Sequence, residues 1–161
     1  MPFFNFSLQF LPGYFCIFVF LYALLKIKFN WIIITVSSII LDVVNFMMRS
    51  SPFGNNVPTV VVVNIIVVFL AIQFILQRET VKTFLFVLLA VLLDYILSYA
   101  SISIFTLVSR LQTKMPPAMI LGLTRYFEAI VLLIVALAVN YLNHKNSKLK
   151  NARIPYPRYS I

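Results

Sequence analysis

Five long apolar runs separated by short polar or basic gaps dominate this chain. The first covers about residues 8–25 and closes with Lys26 and Lys28. The second covers 31–48 and ends at Arg49, before the turn-forming run Ser50-Ser51-Pro52-Phe53-Gly54-Asn55-Asn56. The third, 57–76, is rich in Val and Ile, yet an uninterrupted run of that length matches a bilayer-crossing helix and not a strand. Arg78, Glu79 and Lys82 mark the next gap. The fourth run, 83–108, is long enough to tilt or to project past a membrane. Arg110, Lys114, Pro116 and Pro117 then break the chain, and the fifth run, 118–142, leads into a polar, basic tail. The pattern predicts an all-α polytopic membrane protein: a five-helix transmembrane domain over 1–144, then a basic tail over 145–161. The tail is expected to extend the last helix briefly and then to be disordered. The first run reads as a retained helix and not as a signal peptide. No basic residue precedes it, Pro12 and Gly13 lie near its start, and no small-x-small cleavage site follows.

Composition sharpens this reading. An apolar fraction of 62% against 11% charged exceeds the roughly 45–50% of ordinary soluble domains, and a soluble chain could not hide that surface. The formal charge of +9 does not indicate nucleic acid, because the basic residues sit in the gaps and the tail. There they set orientation. The N-terminus, the second gap and the fourth gap together hold Arg49, Arg110 and Lys114. The opposite side holds Lys26, Lys28, Arg78, Lys82, Lys145, Lys148, Lys150, Arg153 and Arg158. Three against nine places the N-terminus outside and the C-terminus in the cytoplasm, in a plasma membrane, with the tail attracting anionic lipid. The abundant Phe and Tyr read as lipid contacts and interfacial anchors. Cys16 and His144 are the single residues of their kinds. They offer no disulfide, no metal-ligand spacing and no nucleophile pair, so Cys16 is expected to be lipid-facing or packed.

Polar groups inside the runs carry the most information. Asp42, Asn45, Asn64, Asp94, Arg125 and Glu128 all interrupt apolar sequence, and each charge costs roughly 2.5–3.5 kcal/mol at a helix centre. Counting helical rise, Asp42, Asp94, Asn64, Arg125 and Glu128 fall between mid-membrane and the outer half, where they can meet. Ser38, Asp42, Asn45 and Arg49 share one face of the second helix. Asp94, Ser98 and Ser101 share one of the fourth, and Arg125 and Glu128, three apart, can pair on the fifth. Gly122 and Ala129 flank that pair and are expected to allow close helix approach. The fifth helix gains about 4–7 kcal/mol from its aliphatic residues and loses about 5–7 to Arg125 and Glu128, so pairing with Glu128, Asp94 or Asp42 should settle it. The cluster can lock helices together, serve sensing or ion and proton passage, or hold a partner protein.

No glycine-rich phosphate loop, GxSxG, HExxH, CxxC or kinase signature occurs. Asp42 and Asp94 as a proteolytic carboxylate pair find no support in the residues around them. The expectation is a non-enzymatic protein without cofactor or metal. It would be a signalling or interaction module, or alternatively a small oligomeric carrier or channel in which the acids bind a cation or proton.

Residues 26–108 add a resemblance. A helix ends in Met48-Arg49-Ser50-Ser51-Pro52-Phe53-Gly54 and leads into a Val/Ile-rich helix. The charged turn Arg78-Glu79-Thr80-Val81-Lys82 follows, then a Leu-rich helix holding Asp94. This resembles the N-terminal membrane domain of multi-pass sensor histidine kinases of Clostridia and their relatives, the GHKL-ATPase type related to quorum-sensing receptors. The arginine followed by proline-phenylalanine-glycine is its most recognisable piece, and the likeness covers about half the chain. Those kinases continue into a dimerisation helix with a phosphorylatable histidine and an ATP-binding domain. The resemblance therefore implies a sensor module without its kinase: a truncated paralogue, a partner of a separate sensor kinase, or a membrane fragment. It also implies a bacterial, Gram-positive plasma membrane.

Overall fold

The computed structural model describes residues 3–52, 56–76, 80–112 and 117–152, with side chains over 3–52, 56–74, 80–107 and 122–145. The described residues form five α-helices: α1 Phe3–Leu24, α2 Trp31–Ser50, α3 Val57–Leu76, α4 Thr80–Gln112 and α5 Pro117–Ala152. Each is long and apolar enough to cross a membrane, the architecture of a multi-pass membrane protein. Phe53, Gly54 and Asn55 of the expected turn, Arg78 and Glu79, Lys114 and Pro116, and tail residues 153–161 lie outside the described residues.

Three helices extend well past their apolar runs. At 33 residues, α4 is about 50 Å long against a hydrocarbon layer of about 30 Å. It must tilt or project. Residues 145–152 contain no proline or glycine, and α5 runs through them to Ala152. At the other extreme α1 begins at Phe3, ahead of residue 8, and continues through Pro12. Proline has no N–H, so the carbonyl four residues back loses its helical donor. That carbonyl belongs to Leu8, and the Tyr126 hydroxyl of α5 donates to it at 3.0 Å. Such a substitute donor is what lets a proline sit inside a membrane helix.

Short links make successive helices antiparallel. The start of α1 meets the end of α2 through Phe6 and Phe46, and the end of α3 meets the start of α4 through Phe69 and Phe84. α1 and α5 run parallel, since Tyr126 meets Leu8 near their starts and Asn143 donates to the Ala23 carbonyl at 2.9 Å near the end of α1. This α1–α5 contact is the most extensive in the bundle.

α1 is the central helix. Every residue from Cys16 to Ala23 is buried, whereas the other helices bury one stripe each. On α5 that stripe is Thr124, Glu128, Leu132 and Ala136. On α3 it is Val60, Asn64, Val68 and Ile72, and on α2 it includes Ile34, Ser38, Leu41, Asp42 and Asn45. The three-and-four spacing is the helical period, with the opposite faces left to lipid. Phe6, Phe10, Tyr14, Phe18 and Tyr22, each four apart on α1, are all buried. These five rings are core and not the lipid contacts that their abundance suggested. Cys16 is packed inside as well. The expected close approach at Gly122 does not occur, because a Cβ there would meet nothing within 4 Å. Ala129, by contrast, is buried.

Candidate functional site

Toward the end of the bundle where α1 begins, the helices leave a small polar cavity of about 30 Å³. It is lined by Phe10, Gly13 and Tyr14 of α1, Asn45 and Arg49 of α2, Asn64 of α3, Asp94 and Tyr95 of α4, and Arg125 and Glu128 of α5. Every helix contributes. The size suits one or two waters and excludes an organic ligand, and its four formal charges cancel.

Arg125 is the centre of the arrangement. Its guanidinium pairs with Glu128 at 2.8 Å and also donates to the Ser98 hydroxyl. The two residues are three apart on α5, which puts them on one face. Glu128 is only 1% exposed, and its Oε1 has no hydrogen-bond partner, as is also true of Arg125 Nε. The pair is bonded through one edge and bare on the other, inside a space that admits water.

Phe10 organises the two cations. Arg49 lies over its ring at 4.5 Å from the centroid and Arg125 at 4.8 Å. Phe6 stacks on Phe10 at 4.4 Å and takes a second, longer contact from Arg49 at 5.7 Å. Two like charges near one ring repel, and the ring's negative faces together with Asp94 and Glu128 offset this. Arg49 is exposed, so the cavity reaches the bundle surface there.

Other polar side chains close local gaps. Asn64 Nδ2 donates to the Tyr95 hydroxyl at 3.1 Å. Asn45 returns a hydrogen bond to the Leu41 carbonyl at 2.9 Å and Ser38 one to Ile34 at 2.6 Å. The Asn45 and Ser38 bonds stay within α2 and have a structural role, whereas the Asn64 bond joins α3 to α4.

Of the six polar residues expected to cluster, Asn45, Asn64, Asp94, Arg125 and Glu128 line one cavity, and Asp42 does not. Asp42 faces α1 instead, where its carboxylate accepts from the Ser7 hydroxyl while Oδ1 has no partner. Asp42 lies about one turn from Asn45 and two from Arg49 on the same stripe of α2, and its partner Ser7 precedes the cavity residues Phe10, Gly13 and Tyr14 on α1. Sequence reasoning placed Arg49 on the polar face of the second helix but did not count it in the cluster, and it passed over Phe10, Tyr14, Tyr95 and Ser7. The four-residue aromatic ladder on α1 was the available signal. Among the described residues no group of three or more His, Cys, Asp or Glu could hold a metal ion. Compared with protein-family models, curated proteins and solved structures, the chain matches none.

Proposed function

We propose that the protein is a sensory or interaction module of the plasma membrane, without catalysis of its own, whose polar cavity couples the five helices. The observation that carries this reading is that all five helices contribute a side chain to one small, charge-balanced cavity. A change of charge or hydration there acts on every helix together. Apolar packing at the deeper level favours this over a conduction path. Phe18, Val19, Leu21, Ile34 and Leu132 are essentially inaccessible, which sets a dry layer in the way of an ion. The basic residues at the end where α1 closes orient that end to the cytoplasm. The resemblance to kinase sensor domains supports a signalling partner, either a separate sensor kinase or a second copy of the chain.

The test is crosslinking and recovery from native membranes through a C-terminal tag, comparing wild type with Asp94→Asn and Arg125→Gln. The reading expects a defined protein partner or a self-crosslinked dimer whose yield changes in the variants. Cation or proton flux through liposomes that is abolished by Asp42→Asn or Asp94→Asn would replace it with the carrier reading.

A further inference from the structure

At the opposite end of the bundle, a second cavity lies between the α1–α2 link and α5. Its volume is about 260 Å³, and its lining is Lys26, Ile27, Lys28, Asn140, Asn143 and His144. Every polar side chain in that set can donate a hydrogen bond, and none is acidic. Two segments more than a hundred residues apart in sequence form its walls, and Asn143 fixes them by donating to the Ala23 carbonyl.

The backbone supplies a second, independent observation. α1 ends in a Schellman motif, in which the Ile27 N–H reaches the Tyr22 carbonyl at 3.0 Å and the Lys26 N–H the Ala23 carbonyl at 3.2 Å. The residue at the left-handed position of that motif is ordinarily glycine. Here it is Lys26, with φ of 55°, the one non-glycine residue with positive φ among those described. A side chain held in a conformation that disfavours it points to a use for that side chain. Lys26 lines the cavity together with Lys28 and, from α5, His144.

We propose that this cavity binds a phosphate group at the membrane surface, with Lys26 and Lys28 as the charge contacts and Asn140 and His144 as further donors. The exposed apolar faces of the helices place the cavity at the edge of the hydrocarbon layer, where the phosphates of anionic phospholipids are concentrated. The site is independent of the five-helix polar cavity and of the function proposed for it.

The test is lipid retention by native mass spectrometry of the full chain, purified in detergent with defined phosphatidylglycerol and phosphatidylcholine. Wild type is compared with Lys26→Gly, Lys28→Gln and the double variant. Lys82→Gln serves as the control: its basic residue lies at the same end but outside the cavity lining. Inorganic phosphate is added in a separate arm, read by thermal unfolding. Each cavity lysine should contribute roughly five-fold and the pair about thirty-fold to phosphatidylglycerol retention, with little change for the control. Lys26→Gly removes the backbone cost, so it should raise the unfolding midpoint while weakening lipid retention, and loss of folding cannot imitate that combination. Stabilisation by inorganic phosphate without phosphatidylglycerol preference, lost in the double variant, would support the phosphate site with a soluble source. Equal retention in wild type and double variant with no phosphate effect, or an equal loss in the Lys82 control, would overturn the proposal.

Discussion

Replacing Tyr126 by Phe removes one oxygen atom and isolates the compensation for Pro12. In wild type the Tyr126 hydroxyl is 3.0 Å from the Leu8 carbonyl, the group that residue 12 would have served had it carried an N–H. A buried carbonyl left without a donor costs about 1–3 kcal/mol, whereas helix–helix hydrogen bonds in membranes average about 0.6 kcal/mol with a maximum near 1.7. Leu8 is in the second turn of α1, and Tyr126 is 48% exposed at the bundle surface. Some interfacial water therefore replaces the lost donor, and we expect a loss of about 1 kcal/mol. In a Pro12→Ala background the amide of residue 12 can reach Leu8, and the same Tyr126→Phe change should cost only about 0–0.3 kcal/mol. Trp31, the chain's single tryptophan, lies 5.4 Å from the Phe29 ring at the start of α2. Its fluorescence can follow unfolding in mixed micelles titrated with dodecyl sulfate. An equal loss in both backgrounds would refute the claim that this hydroxyl stands in for a missing amide.

Three further outcomes are expected from the same assay. Glu128→Leu should destabilise the protein by about 2–4 kcal/mol by leaving the partly buried Arg125 without its 2.8 Å partner, and adding Arg125→Met should restore most of it. Additive losses in the pair would contradict this. Phe10→Leu removes two guanidinium contacts at 4.5 and 4.8 Å and should cost about 1–2 kcal/mol, more than Phe29→Leu at the bundle edge. Ser7→Ala withdraws the hydroxyl bound to the buried Asp42 carboxylate and should cost about 1–3 kcal/mol. The added Asp42→Leu should recover stability rather than deepen the loss.

The five spans were legible because each is an apolar run of bilayer length, and the burial of Ser38, Asp42 and Asn45 followed from spacings of four and three. The Arg125–Glu128 pair was legible for the same reason, as a three-residue spacing whose geometry is local. The central place of α1 was not. A helix apolar on all sides presents the same pattern whether lipid or other helices surround it, so periodicity cannot separate the two. The separation of Asp42 from the cavity was equally hidden. Depth counted by helical rise is good to about a turn, and about one turn is what divides Asp42 from Asn45. Contacts such as Tyr126 with Leu8 and Asn143 with Ala23 join residues over a hundred positions apart, and nothing in a single sequence ties such positions together. Pro12 was the exception in kind, since a proline within a span implies an orphaned carbonyl and hence a donor somewhere nearby.

These long-range links also explain why one arrangement of five similar helices is preferred. In lipid, apolar surfaces gain little by leaving the solvent for one another, so packing fit and hydrogen bonds must choose neighbours. Ser7 with Asp42 joins α1 to α2, Tyr126 with Leu8 and Asn143 with Ala23 join α1 to α5, Ser98 with Arg125 joins α4 to α5, and Asn64 with Tyr95 joins α3 to α4. The series α2–α1–α5–α4–α3 is thus bonded from one end to the other, with each successive pair held by at least one polar contact. α1 and α5, parallel and not consecutive in sequence, have no short loop to set their register, and they carry two such bonds near opposite ends of α1. Removing either one should leave the other to hold the register. The two together, Tyr126→Phe with Asn143→Leu, should therefore loosen the α1–α5 seam by more than the sum of the single changes.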